Sequence, residues 1–220
     1  MQSIRLLCAA KLRQPILAGL VFLLCGLGPT ASAAETTPPL AFPGAQGWAA
    51  HTAGGRGGKI LRVTTLAADG PGSFAEAVTS TGPRIVVFEV GGVIDLGVKT
   101  LNIREPFLTI AGQTAPQPGI TLIRGGLDIF AHDVIVQHLR VRPGDAGQPK
   151  MSGGDFDAIS TVGAHDVIVD HCSLTWATDE NLSASGTRFA GDTPEQWREG
   201  TSYRITFSNN LIAEGLAHAN

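Results

Sequence analysis

Residues 132–138 read His132-Asp133-Val134-Ile135-Val136-Gln137-His138, and residues 165–171 read His165-Asp166-Val167-Ile168-Val169-Asp170-His171. The register continues at Ile205-Thr206-Phe207-Ser208-Asn209, so one rung returns after 33 and then 38 residues. The rungs are rich in Val and Ile, which suit a pleated strand. A fixed rung with variable spacers, at a period of roughly 20 to 50 residues, marks a solenoid whose coils bury one another. Both faces of the rung are apolar, as Val134 and Val136 on one side and Ile135 on the other show, which is how a strand buried on both sides reads. The expected fold is all-β: a right-handed, single-stranded parallel β-helix. Gln137, Asp170 and Ser208 fall at matching places and predict a polar stack that hydrogen-bonds from coil to coil.

Outward from these rungs, further strands are expected at Ile60–Thr64, Ile85–Val90, Leu108–Ala111 and Ile120–Ile123. The rungs themselves are expected to run as Val134–Val141, Val167–Leu174 and Ile205–Ile212. Ser73-Phe74-Ala75-Glu76 has capping-box spacing and opens a short amphipathic helix, placed to cover the N-terminal end of the solenoid. The run Gly54-Gly55-Arg56-Gly57-Gly58-Lys59 resembles a phosphate loop but lacks the Ser or Thr that must follow the lysine, where Ile60 stands. It reads as a tight turn before a strand.

The chain of 220 residues is 43% hydrophobic and 16% charged, with 28 Gly and 13 Pro, a balance that suits short strands and turns. Residues 1–33 read as a secretory signal peptide: Arg5, Lys11 and Arg13 precede the apolar run Ile16–Leu27, and Ala31-Ser32-Ala33 supplies the cleavage site. A linker follows over 34–41, and the β-helix domain occupies 42–220. Cleavage would take the formal charge from −3 to −6, because three positive charges leave with the leader. A mildly acidic, exported chain is expected to avoid nucleic acid and, once cleaved, the membrane, and to be a monomer. Only Cys172 remains after cleavage, so no intrachain disulfide forms and stability rests on packing or bound ions. The chain stops eight residues after Ile212 with no evident cap, and truncation at the C-terminus is expected.

Acidic groups gather over 155–180. Asp155 and Asp157 share a face if they lie in a strand. Asp157-Ala158-Ile159-Ser160 returns as Glu180-Asn181-Leu182-Ser183, 23 residues on, which stacks Glu180 over Asp157 at one strand spacing of roughly 4.8 Å. Asp155, Asp157 and Glu180 then line one patch, with Asp179 as the alternate ligand if a bulge turns it inward. Oxygen ligands without His or Cys select a hard cation, Ca²⁺ ahead of Mg²⁺. Asp170, His171 and Ser173 carry the letters of a hydrolase triad, but consecutive strand residues point apart. The histidines lack zinc spacing. Trp48, Trp176 and Trp197 suit either sugar stacking or loop packing.

The ordered set of Gly54-Gly55-Arg56-Gly57-Gly58, Asp69-Gly70-Pro71-Gly72-Ser73, Gly91-Gly92-Val93-Ile94, Ala111-Gly112-Gln113-Thr114, Asp155-x-Asp157-Ala158-Ile159 and Val169-Asp170-His171-Cys172-Ser173 resembles the secreted pectate lyases of the parallel β-helix polysaccharide lyases. That resemblance spans most of the chain after the leader. It implies Ca²⁺ held by Asp155, Asp157 and Glu180, an acidic polysaccharide substrate of the pectate type, and cleavage by β-elimination. It also implies an arginine base on a later coil. Arg188, Arg198 and Arg204 do not lie in sequence resembling that motif, so the catalytic base is unassigned and expected beyond Asn220. Two other classes remain: a non-catalytic glycan-binding or adhesin β-helix, and a polygalacturonase-like hydrolase, which needs two carboxylates placed across the glycosidic bond.

Overall fold

Each apolar rung forms a strand that has no partner within its own coil and must pair with the coils on either side. A computed structural model describes residues 37–145, 147–149, 154–187 and 190–216. The proposed leader, residues 1–33, and the first linker residues lie outside these. Strand β1 (Lys59–Val63) and helix α1 (Phe74–Thr79) come first. Four coils of three strands follow: β2 (Arg84–Phe88), β3 (Gly92–Asp95) and β4 (Leu101–Ile103); β5 (Leu108–Ala111), β6 (Ile120–Ile123) and β7 (Leu127–Ile129); β8 (Val134–Gln137), β9 (Arg140–Arg142) and β10 (Ile159–Val162); β11 (His165–Asp170), β12 (Ser173–Thr175) and β13 (Leu182–Ser185). Helix α2 (Pro194–Glu199) precedes β14 (Tyr203–Ser208) and β15 (Leu211–Ala213).

The strands stack into three sheets, and every pairing between them is parallel. The first sheet runs β1-β2-β5-β8-β11-β14, the second β3-β6-β9-β12-β15 and the third β4-β7-β10-β13. This is a parallel β-helix. Val167 pairs with both Val134 and Ile205, as the repeated rungs predict. Loop placement explains the unequal spacings. The 33-residue step contains the long loop between β9 and β10, and the 38-residue step contains α2, whereas the step from β10 to β13 contains neither and is 23 residues.

Three expected strands are corrected. Val134–Val141, Val167–Leu174 and Ile205–Ile212 each divide into two strands of different sheets. A single residue turns each corner in the left-handed region: His138 (φ 55°), His171 (φ 52°) and Asn209 (φ 51°). Apolar periodicity misses this corner because Val136 and Leu139, on either side of it, both face the interior.

The interior of the coils is filled by one apolar cluster that includes Val86, Ile94, Ile103, Leu122, Ile129, Val141, Ile159 and Leu174. Helix α1 caps its N-terminal end with fully buried Phe74 and Val78, and Ser73 Oγ accepts from Glu76 N, as its sequence predicts. Buried Arg84 ties helix to coil by donating to the carbonyls of Val78, Gly82, Glu105 and Pro106. The outer face of the first sheet is covered too, by Ala45, Ala49 and Ala50 packed on Ile135 and Ile168. That cover is why these rungs are apolar on both sides. Gly55 lies so close to β2 that a Cβ there would sit 1.8 Å from the Arg84 carbonyl oxygen, so the glycine run serves close backbone approach.

The polar stack is present. Gln137 Nε2 donates to Asp170 Oδ2 at 3.1 Å, and Ser208 Oγ and Asn209 Nδ2 donate to Oδ1 at 2.8 and 2.9 Å. Burial pushes the Asp170 carboxyl up, but hydrogen bonds from His171, Asn209, Ser208 and Gln137 outweigh it and hold the pKa down at about 2. A depressed carboxyl stabilises the fold above its unfolded value and loses that contribution as pH falls through its folded value. Denaturant unfolding should therefore show on the order of 2 kcal/mol of stability lost between pH 5 and pH 2 in the wild type and absent from Asp170→Asn.

Candidate metal centre

The loops from the second sheet to the third bring the acidic residues together at one corner of successive coils. Strand β10 pairs with β13 in the register Ile159 to Leu182, which extends backward to place Asp157 beside Glu180. Ala158 N donates to the Glu180 carbonyl at 3.1 Å, and Glu180 N donates to Asp157 Oδ1 at 2.9 Å. Thr178 pins the same corner, its Oγ1 accepting from Phe156 N at 2.8 Å and donating to the Gly154 carbonyl at 2.7 Å. Ser160 Oγ donates to Asp157 Oδ2 and is joined to Ser183 Oγ at 2.6 Å. Asp157 is thus held by the Glu180 amide of the next coil and by the Ser160 hydroxyl of its own.

Carboxylate oxygens of Asp157, Asp179 and Glu180 all lie within 4.8 Å of one another. Asp155, expected in this group, is exposed and outside it. Residues 154–157 are not a strand, so the alternation that would align Asp155 with Asp157 does not operate. Asp179 joins for the same reason: residues 178 and 179 form a bend, where neighbours need not face apart. Burial, then the charges of Asp157 and Asp179, push the Glu180 carboxyl up to about 7. Asp128, under Ser160 on β7, was not anticipated from the sequence. Its carboxyl is raised by burial and by Asp157, and is moderated by Arg104. The signal for it was the match of Leu127-Asp128-Ile129 to Ile159-Ser160-Thr161. Arg104 lies over the Phe130 ring, 4.2 Å from its centroid.

The other candidates take structural roles. His171 Nδ1 is 2.7 Å from Asp170 Oδ2, while Ser173 Oγ accepts from Arg142 Nη2 at 2.7 Å, which leaves no sign of a nucleophile paired with its base. Burial pushes the Cys172 thiol up to about 12, out of reach as a thiolate. His132 and His165 stack at 4.8 Å, each with Nδ1 on the aspartate that follows it. Trp48 is exposed, Trp176 Nε1 donates to Glu214 and Trp197 Nε1 to the Gly191 carbonyl.

No protein-family model matches the chain. Among curated proteins it is 41% identical over 183 residues to a probable pectate lyase C of Emericella nidulans, covering 83% of this chain and 38% of that protein. It is 41% identical over 178 residues to a probable pectate lyase C of Aspergillus terreus, covering 80% and 37%. Pectate lyase 5 of Ambrosia artemisiifolia is 29% identical over 185 residues, covering 77% and 42%. The chain therefore spans less than half the length of these relatives. Among solved structures, Jun a 1, the major allergen from cedar pollen, matches with a TM-score of 0.56 at 19% identity over 77% of this chain and 57% of that one, a likeness of fold.

The raised Glu180 carboxyl yields a test that needs no activity. A carboxyl raised above its unfolded value destabilises the fold once ionised, so stability falls as pH rises from the ordinary carboxylate range through about 7. In chelator, the unfolding midpoint should decline more steeply from pH 5 to 7.5 in the wild type than in Glu180→Gln, and excess Ca²⁺ should remove that difference.

Proposed function

We propose, from its likeness to probable pectate lyases C over most of the chain, that it forms the metal-binding part of an exported, Ca²⁺-dependent lyase that cleaves pectate or a related polyuronate by β-elimination. The observation that carries this reading is the convergence of Asp157, Asp179 and Glu180 on one corner of the β-helix. The donor set fits a hard cation: it offers oxygen alone, and its mutual repulsion is what a divalent ion relieves. Asp157, Asp179 and Glu180 would hold the ion, with Asp155 near enough in sequence to join from the adjoining loop. Three carboxylates fall short of the roughly six to eight oxygens Ca²⁺ takes, which leaves room for others.

When bound, the ion supplies Lewis-acid polarisation of a uronate carboxylate, which makes the proton α to it more acidic. The chain's own residues orient and restrain. Ser160 and the Glu180 amide fix the Asp157 rotamer, and Thr178 fixes the loop that carries Asp179. Arg104 adds a positive charge beside the third sheet that suits a second uronate carboxylate. The base is unassigned within the chain. Arg204 is committed to Asp166 and Arg198 to Glu195, while Arg188 lies outside the described residues. The reading gives that role to an arginine in the further length that the relatives possess. Export rests on the leader-like residues 1–33, and among the described residues no helix is long and apolar enough to cross a membrane. A monomer is proposed.

A non-catalytic glycan-binding role is the second reading, favoured by the commitment of Arg198 and Arg204 to other partners. Polygalacturonate incubated with a product of the relatives' length should yield unsaturated uronide absorbance with Ca²⁺ and none in chelator. Asp157→Asn should lower the rate by about a hundredfold or more, as loss of a fixed ligand position does. Reducing ends without the absorbance would establish hydrolysis instead, and binding without either product would establish a glycan-binding module.

A further inference from the structure

A cleft lies at the corner from the first sheet to the second, at the other end of β9 and β12 from the acidic loops. It is an open depression of about 350 Å³ whose polar lining is Gln113, Gln117, His138, Arg140, His171 and Ser173. Its volume is at the small end of the roughly 300–1,000 Å³ typical of ligand sites.

The left-handed turns at His138 and His171 build this cleft. They project the two rings outward in successive coils, stacked at 5.0 Å and 22°. Asp170 lies beside His171 and is not among the lining residues. Because Asp170 is ionised, its Oδ2 fixes the His171 proton on Nδ1 and leaves Nε2 for a ligand. Arg140 is held from the other side: Nε donates to Thr121 Oγ1 at 2.8 Å and Nη2 to the Pro118 carbonyl at 2.5 Å. Gly119 lies against this guanidinium, close enough that a Cβ there would stand 3.4 Å from both terminal nitrogens.

Charge in the cleft is one-sided. Both hydrogen bonds of Arg140 end on neutral oxygens, and among the described residues it makes no salt bridge. The neighbouring Arg142, bonded to Ser173, adds repulsion rather than compensation. No acidic side chain lines the space. A rigidly held guanidinium with no acidic partner in the cleft is an arrangement that selects an anion, while the unprotonated Nε2 of His171 suits a ligand hydroxyl that donates to it. Burial, then the charge of His171, lowers the pKa of His138, and Arg140 supplies a fixed positive charge that a single carboxylate matches. Gln113, Gln117 and Ser173 suit the hydroxyls of a sugar.

We infer that this cleft is a second ligand site, separate from the acidic corner, which takes a single uronate sugar by its carboxylate. The preference for an anion follows from Arg140; the choice of a uronate rests on the proposed function.

The test is a titration of the chain in chelator, so that the acidic corner plays no part, following the ring protons of His138 and His171 by NMR. Galacturonate should shift both resonances saturably, and galactose at equal concentration and ionic strength should not. Arg140→Gln should weaken the response about tenfold or more, and so should Gln113→Glu, which sets a carboxylate at an exposed position of the rim. An equal response to galactose, a tighter response to inorganic phosphate, or unchanged affinity in Gln113→Glu would overturn the inference. An active lyase without these shifts defeats this site alone, whereas intact shifts in an inactive full-length protein defeat the lyase reading alone.

Discussion

Each coil can satisfy its backbone amides and carbonyls only on the coils before and after it, because no strand pairs within its own turn. That requirement holds every rung in register with its neighbours at one strand spacing, roughly 4.8 Å. Identical positions in successive coils therefore become contacts: Gln137 meets Asp170 and Asp170 meets Ser208, His132 stacks on His165, and Ser160 meets Ser183. Insertions are tolerated only where they leave this ladder intact, which confines the long segments to the corners between sheets.

The same constraint makes the acidic corner. Asp157 and Glu180 are 23 residues apart in sequence, yet the ladder joins the Glu180 amide to Asp157 Oδ1 and leaves the carboxylates side by side. The repulsion that raises the Glu180 carboxyl is relieved either by a compensating cation or by a proton on Glu180. The proposed function takes the first solution. At the corner from the first sheet to the second the ladder does the reverse, bringing two imidazoles and a guanidinium together with no carboxylate in the lining.

Much of this was legible in the sequence where chemistry repeats at matched positions. The rungs at Val134, Val167 and Ile205, the polar stack, the capping helix at Ser73 and the echo of Asp157 in Glu180 all follow from pattern alone. The corners were not legible. A single left-handed residue such as His138 or His171 turns the chain without interrupting its apolar run, since the strands before and after it bury against the same interior. The membership of Asp155 and Asp179 depended on whether strand alternation applied to residues outside strands. Asp128 was hidden because its coil carries no second acid to echo it. The double-sided burial of β8 and β11 was visible, but its cause, the cover of Ala45, Ala49 and Ala50, lies some 85 to 120 residues away in sequence.

The account turns on a cation held jointly by two coils. A crystal of the protein grown with calcium, recorded for the anomalous signal of the ion, tests this most directly. The account predicts one strong peak at about 2.3–2.6 Å from carboxylate oxygens of Asp157, Asp179 and Glu180. A peak bound through Asp155 without Glu180, or no peak at saturating calcium with the three carboxylates still in place, would contradict it.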